Sequence, residues 1–177
     1  MSNPSSALES LTPSPDGWSW VVLHARPRCE KKLEALASQK EAVFYLPCTR
    51  RAHQYGNRKR VYEVPLFTGY VFGKMPDQHV SWYRSNRYVA NIIPVVDEEK
   101  LLTPLRAIAT ALSSGLEMEV HSDIQPGTRI RITAGPLKGL ETEVQQIAGE
   151  DKVILHLEMI QKTVAVEIPL SDVKPIP

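Results

Sequence analysis

The residues with the clearest chemistry are cations. Residues 26–60 hold ten Lys or Arg against three acids, a local charge of +7 in a chain whose total is +1. The imbalance extends over whole halves: residues 1–115 carry 15 basic and ten acidic side chains, and residues 116–177 carry six and ten. A basic half joined to an acidic half suits separate partners, and phosphate is the natural ligand for the first. A merely solvated basic face is the plain alternative. Nothing else in the chain looks like a reaction centre. The histidines at 24, 53, 79, 121 and 156 show no HxxxH or HExxH spacing. Cys29 and Cys48 make neither a disulfide framework nor a CxxC zinc site, and a reducing cytoplasm is the expected compartment. There is no GxSxG and no Walker loop. Residues 135–139 (GPLKG) have the glycines and a lysine but lack the GK[ST] helix start, so they read as a turn. Glu117 and Glu119 have no identifiable partner. No enzyme, metal or cofactor is expected.

These residues must be positioned by a chain of 177 residues, enough for one large or two small domains. Its 42% hydrophobic and 23% charged fractions are those of a globular protein. No window reaches the ~18 apolar residues of a membrane span. Residues 1–16, rich in Ser and Pro with no apolar run, read as a disordered tail and not as a secretory signal.

From there the pattern alternates. Residues 18–24 (WSWVVLH) read as a buried strand. Leu33, Leu36 and Ala37 recur at helical spacing after Pro27, predicting a helix over 27–40. Residues 42–46 form a second strand, and 49–64 a loop or long hairpin. Residues 66–75 (LFTGYVFGKM) are the strongest strand candidate, with Gly69 marking a bulge or close approach. A short helix over 77–86 with an Asp cap, a strand over 88–96, and a helix capped by Thr103 before Pro104 follow. This order predicts an α+β domain, a mostly antiparallel sheet flanked by helices, over residues 17–115. Residues 116–123 read as a linker. Beyond them 128–133, 141–147, 152–157 and 163–168 alternate with period two, which predicts a small all-β barrel over 124–177.

The first half resembles the N-terminal domain of NusG-type transcription elongation factors, and among them the specialised RfaH-like paralogues. The resemblance rests on residues 21–33 (VVLHARPRCEKKL), 44–72 (the stretch ending PLFTGYVF) and 89–95 (VANIIPV). Residues 124–144 (IQPGTRIRITAGPLKGLETEV) and 163–169 resemble a KOW domain, an SH3-like barrel. One departure stands out: the family usually has Gly two residues after the position of Leu140, and here it is Thr142. A β conformation is expected there.

The resemblance implies binding to RNA polymerase and suppression of pausing. Leu23, Phe67 and Tyr70 match an apolar patch that docks on the clamp helices, which requires a surface hollow in which aromatic anchors are desolvated. On that reading Phe67→Ala weakens binding while the domain stays folded. His79, Val80, Ser81 and Trp82 fall where the paralogues contact the gate loop. Arg26, Arg28, Lys31, Lys32, Arg84 and Arg87 flank the edge that faces the non-template DNA strand, where phosphate contacts are salt-sensitive. Met159, Ile160 and Lys162 match the KOW surface that recruits a second partner, the ribosomal protein NusE, with Rho not expected. The chain is expected to be monomeric, with no membrane partner. The rival reading is a general RNA-binding or ribosome-associated KOW protein.

Overall fold

The computed structural model describes residues 8–55, 58–116, 118–121, 127–147 and 150–176. Two compact units emerge, Ser14–Val96 and Met1–Pro13 with Asp97–Pro177.

The unit Ser14–Val96 is built on β1 (Trp18–Ala25), β2 (Val43–Tyr45), β5 (Tyr70–Pro76) and β6 (Val89–Pro94), in the order β2-β5-β1-β6 and antiparallel throughout. Alternation divides β1 cleanly. Val21, Leu23 and Ala25 join Leu33, Val71, Met75 and Tyr83 in one core. Trp20, Val22 and Phe72 lie on the opposite face and are also fully buried. Gly73 is required here, because a Cβ would come within 2.8 Å of the Phe44 ring. Among the described residues, β3 (Cys48–Tyr55) and β4 (Arg58–Pro65) pair only with each other, so the basic stretch is the long hairpin.

The helix expected over 27–40 is broken. Arg28 takes φ 62°, so helix α1 starts only at Glu30; it ends at Glu34, and a 3-10 turn follows at Ala37–Lys40. Helix α2 (Asp77–Arg84) follows β5 directly. Its Asp77 is not a cap: it is the first helical residue, and its carboxylate accepts from the Ser19 hydroxyl.

In the other unit, α3 spans Glu98–Ser113, longer than expected. Asp97 caps it by accepting from the Lys100 amide at 3.2 Å, so Thr103 is interior and Pro104 sits inside the helix. Leu11, in the stretch expected as a tail, is buried, and its carbonyl accepts from Arg106 Nε at 2.8 Å. Strands β7 (Met118–His121), β8 (Thr128–Ile132), β9 (Glu141–Ile147), β10 (Glu150–Leu157), β11 (Lys162–Val166) and β12 (Val173–Pro175) form an antiparallel sheet ordered β12-β8-β9-β10-β11-β7. β7 lies inside the segment expected as a linker and pairs with β11. Among the described residues no pairing joins β12 to β7. Thr142 lies in β9 opposite Ile130, and its hydroxyl donates to the Ile154 carbonyl. The β backbone therefore accommodates the departure from glycine without a positive φ. The expected GPLKG turn is present, with Gly135 at φ 76° and Gly139 at φ 93°.

Candidate functional site

The end of the β1–β5 pair carries the first group of candidates. His24 faces Tyr70 and Val22 faces Phe72 in register, so these four share one sheet face, while Leu23 pairs with Val71 on the other. The rings of His24 and Tyr70 stack at 5.1 Å and 18°. His24 is exposed and Tyr70 half-buried. The turn before Tyr70 is held from two sides: Gly69, at φ 86°, donates its amide to Glu30 Oε1 at 2.9 Å and accepts from the Ala25 amide at 2.8 Å. Glu30 is itself 6% exposed, so the start of α1 clamps the PLFTGY turn with a buried carboxylate.

Two of the three expected clamp residues are not at the surface. Leu23 is 0% exposed because strand alternation turns it into the helix-covered core. Phe67 is 2% exposed and packs its edge against Phe72 at 5.9 Å. Phe67 is thus an interior ring, not the wall of a surface hollow, and its truncation acts first on the fold. The surface feature at this place is the His24–Tyr70 stack. His24 was missed, although the period-two pattern of WSWVVLHA already puts it on the face of Trp20 and Val22.

Helix α2 divides its four candidates. Val80 packs against the core, and half-buried His79 puts Nδ1 2.9 Å from the Lys40 carbonyl. Ser81 is exposed and Trp82 is 36% exposed. The core anchor of this helix is the neighbour, Tyr83, fully buried, tilted against Phe44 at 5.1 Å, its hydroxyl donating to the Leu36 carbonyl at 3.2 Å. Burial pushes the Tyr83 phenol up. Trp82 stands edge-on to Tyr83 at 4.9 Å, with Lys40 Nζ 5.5 Å from its ring centre.

All six expected DNA-contacting residues are exposed. Two of them bring their side chains to Tyr88, which sequence reading did not single out, and a third, Arg26, meets it through the backbone. The Arg87 guanidinium lies 4.8 Å from the Tyr88 ring centre and donates to its hydroxyl at 2.7 Å. Lys32 Nζ lies 5.8 Å from the same ring, and the Arg26 amide donates to the Tyr88 carbonyl at 2.8 Å. Lys31 turns elsewhere, donating to the Glu63 carbonyl at 3.1 Å and so tying α1 to β4. Cations around one aromatic face make a patch suited to an anionic strand. Cys48, nearby in charge terms, has its thiol pushed up by burial, with Lys31 opposing and Glu34 and Glu63 reinforcing. That is the reverse of an activated nucleophile.

In the C-terminal unit, Ile160 is 5% exposed in the 3-10 turn Glu158–Ile160, so it is a packing residue and offers no contact surface. Met159 and Lys162 remain half-exposed. Among the described residues, no group of three or more His, Cys, Asp or Glu side chains could hold a metal ion, and no helix is long and apolar enough to cross a membrane.

Residues 18–109 match the family model described as "NusG: Transcription termination factor nusG". The matched span contains the His24–Tyr70 stack, α2 and the Tyr88 cluster. A solved structure described as "Crystal Structure of MjSpt4:Spt5 complex conformation B" is 18% identical, with 89% of this chain and 96% of that chain covered and a TM-score of 0.29. No curated protein matches.

Proposed function

The chain belongs to the NusG family of transcription factors, and from that premise we propose that it is a cytoplasmic, non-enzymatic elongation and antitermination factor of the RfaH-like kind. Residues 17–115 engage RNA polymerase at the clamp, and residues 124–177 act as a KOW module that recruits a second partner. The single observation carrying this reading is the family match over residues 18–109.

The geometry supports a revised set of contacts. Tyr70 and His24 are the surface aromatic pair for the clamp, and Ser81 and Trp82 are the outward residues of α2 for the gate loop. Bridging two mobile parts of the polymerase needs no chemistry: a ligand that binds the closed state better shifts the population away from paused states. Lys32 and Arg87 around Tyr88, with exposed Arg26 on the adjoining backbone, form the patch for the exposed DNA strand.

The test is co-purification of the tagged chain with core polymerase after nuclease treatment. Polymerase is expected to be retained, and the Tyr70→Ala/His24→Ala pair is expected to reduce retention about tenfold, as truncating a hot spot does. A chain that retains RNA and no polymerase supports the general RNA-binding reading instead. Transcription through pauses on several templates then separates a general factor from an operon-specific one.

A further inference from the structure

One strand of the six-stranded sheet stands outside its meander. β8, β9, β10 and β11 pair in chain order, and β12 returns to β8. β7 comes from before that stretch. It lies antiparallel along the outer edge of β11, with Val120 opposite Val164 and Met118 opposite Val166. Among the described residues β7 pairs with β11 alone.

The two sides of this pairing are unequal. Thr163, Val164, Ala165 and Val166 are all buried, so β11 is covered on both of its faces. β7 has four residues, and its Met118 and Val120 are only half-buried. A short strand paired along one side belongs to the part of a sheet that opens most readily. Its delivery to that edge is nonetheless specified. α3 ends at Gly115, with φ 71°, and the Leu116 amide donates back to the Ala111 carbonyl at 3.1 Å. The chain therefore leaves the helix in a fixed turn two residues before β7 begins. With β7 lifted away, β11 presents a row of main-chain N–H and C=O groups beside buried valines, a template for any extended chain.

The place of β7 ties it to the candidate partner surface. Lys162 is the first residue of β11, and Met159 lies in the 3-10 turn just before it. β7 runs from Val166 towards Thr163, so a chain that continues its path reaches Lys162 and then Met159. We propose that the outer edge of β11 is a strand-acceptor site that β7 guards in the free protein. Its ligand is an extended segment of a partner protein with apolar residues at alternate positions, which enters by displacing β7. In such additions the main chain supplies affinity and alternate side chains supply specificity. The resident strand shows the pattern required: one apolar residue against Val166 and one against Val164, as Met118 and Val120 provide. The guard blunts the edge against indiscriminate pairing and lowers the apparent affinity of every competitor by the fraction of time the edge is closed. That the incoming strand belongs to a recruited partner rests on the function proposed above, whereas the exchange of β7 for another strand does not.

The experiment uses the full chain and a fluorescein-labelled peptide of residues 116–123 (LEMEVHSD), which is β7 supplied in trans. Binding is read by anisotropy. Val120→Asp, at a half-buried position, weakens the resident strand and is expected to tighten peptide binding about tenfold. Val120→Thr keeps the branched shape and is expected to tighten it about threefold, and it decides the matter should circular dichroism show the aspartate variant unfolded. A peptide carrying Met118→Asp/Val120→Asp is expected to bind neither variant. Equal or weaker binding of the original peptide to the folded variants places it outside β7 and overturns the exchange. With a nitroxide on the peptide and nitrogen-15 in the chain, broadening is expected at the amides of Thr163–Val166. Broadening at Val173 and Lys174 of β12, the opposite edge, overturns the site. A chain dimer that the peptide dissociates assigns the edge to a second copy and overturns the choice of occupant. Purified NusE is expected to bind Val120→Asp about tenfold more tightly than the unaltered chain. If it binds both equally, the guarding role is overturned; if it binds neither, the recruitment reading fails for that partner, while the peptide still decides the exchange.

Discussion

The three Trp, six Tyr and three Phe of the chain all lie between Trp18 and Tyr88, within the unit Ser14–Val96, and residues 97–177 contain none. Both units are antiparallel sheets with a helix of their own, yet they are filled by different materials. In the six-stranded sheet the buried hydrophobic residues are aliphatic, among them Ile130, Ile132, Val153, Leu155, Val164 and Val166. In the four-stranded sheet, rings pack on rings, and several carry a polar end that still finds a partner, as Tyr83 does at Leu36. Aliphatic side chains seal a pleated surface well but give a partner little to recognise. Rings combine large buried area with a directional edge, which is why they dominate binding hot spots. On the function proposed above, recognition by rings belongs to the first unit, and the second offers Met159 and Lys162, both half-exposed.

The comparison is broken most directly at the rings. Tyr83→Ala removes a fully buried ring that touches Phe44 and Trp82, and about 3–5 kcal/mol of stability is expected to be lost. Urea unfolding followed by tryptophan fluorescence measures this, since all three tryptophans sit in the same unit. Tyr83→Phe is expected to cost only about 1 kcal/mol, the hydrogen bond to Leu36 alone. Phe67→Ala should behave like a core truncation of about 3 kcal/mol. If instead its stability is unchanged while polymerase retention falls, Phe67 is a surface anchor in solution. In the aliphatic unit, Leu155→Ala is expected to cost about 2–4 kcal/mol, read by circular dichroism. Next in size comes the half-buried ring: Tyr70→Ala is expected to cost about 1–2 kcal/mol in polymerase binding, measured by titrating polymerase against the immobilised chain.

The sequence made some of this contrast legible and hid the rest. Period-two alternation located β8, β9, β10 and β11, whereas β1 and β5, buried on both faces, were legible as apolar runs. Alternation along β1 places Leu23 inward and His24 on the exposed face, a distinction the family resemblance alone does not make. Helix ends were less readable. Thr103-Pro104 has the chemistry of an N-terminus, but Asp97 caps the helix and Pro104 lies seven residues after it, in the second turn. The helix expected over 27–40 starts late because Arg28 adopts a positive φ, a local choice with no side-chain signature, and its second half is a 3-10 turn. The approach of Lys32 to the Tyr88 ring depends on a contact distant in sequence, which spacing does not encode. The match over residues 18–109 agrees with the family resemblance carried by PLFTGY and its neighbours.

The smallest expected effect lies on the aliphatic sheet, where an exposed ion pair tests whether its surface charges matter to stability. The Arg131 guanidinium bonds the Glu141 carboxylate across β8 and β9, which face each other in register. That hydrogen bond, then the charge of Arg131 and finally that of Arg129, hold the Glu141 carboxyl below its ordinary value of 4.5. A carboxyl whose folded value is depressed binds its proton more readily in the unfolded chain. Its stabilising contribution is therefore complete above the ordinary value and disappears as pH falls through the depressed one. Both side chains are about half exposed, so solvent and salt screen the pair and the contribution is small. Glu141→Gln is accordingly expected to leave unfolding at neutral pH nearly unchanged and to flatten its acid limb slightly, most visibly at low ionic strength. An acid limb identical in the two proteins at low salt shows that the pair is equally formed in the unfolded ensemble. A large loss at neutral pH shows that Glu141 anchors the β8–β9 pairing itself.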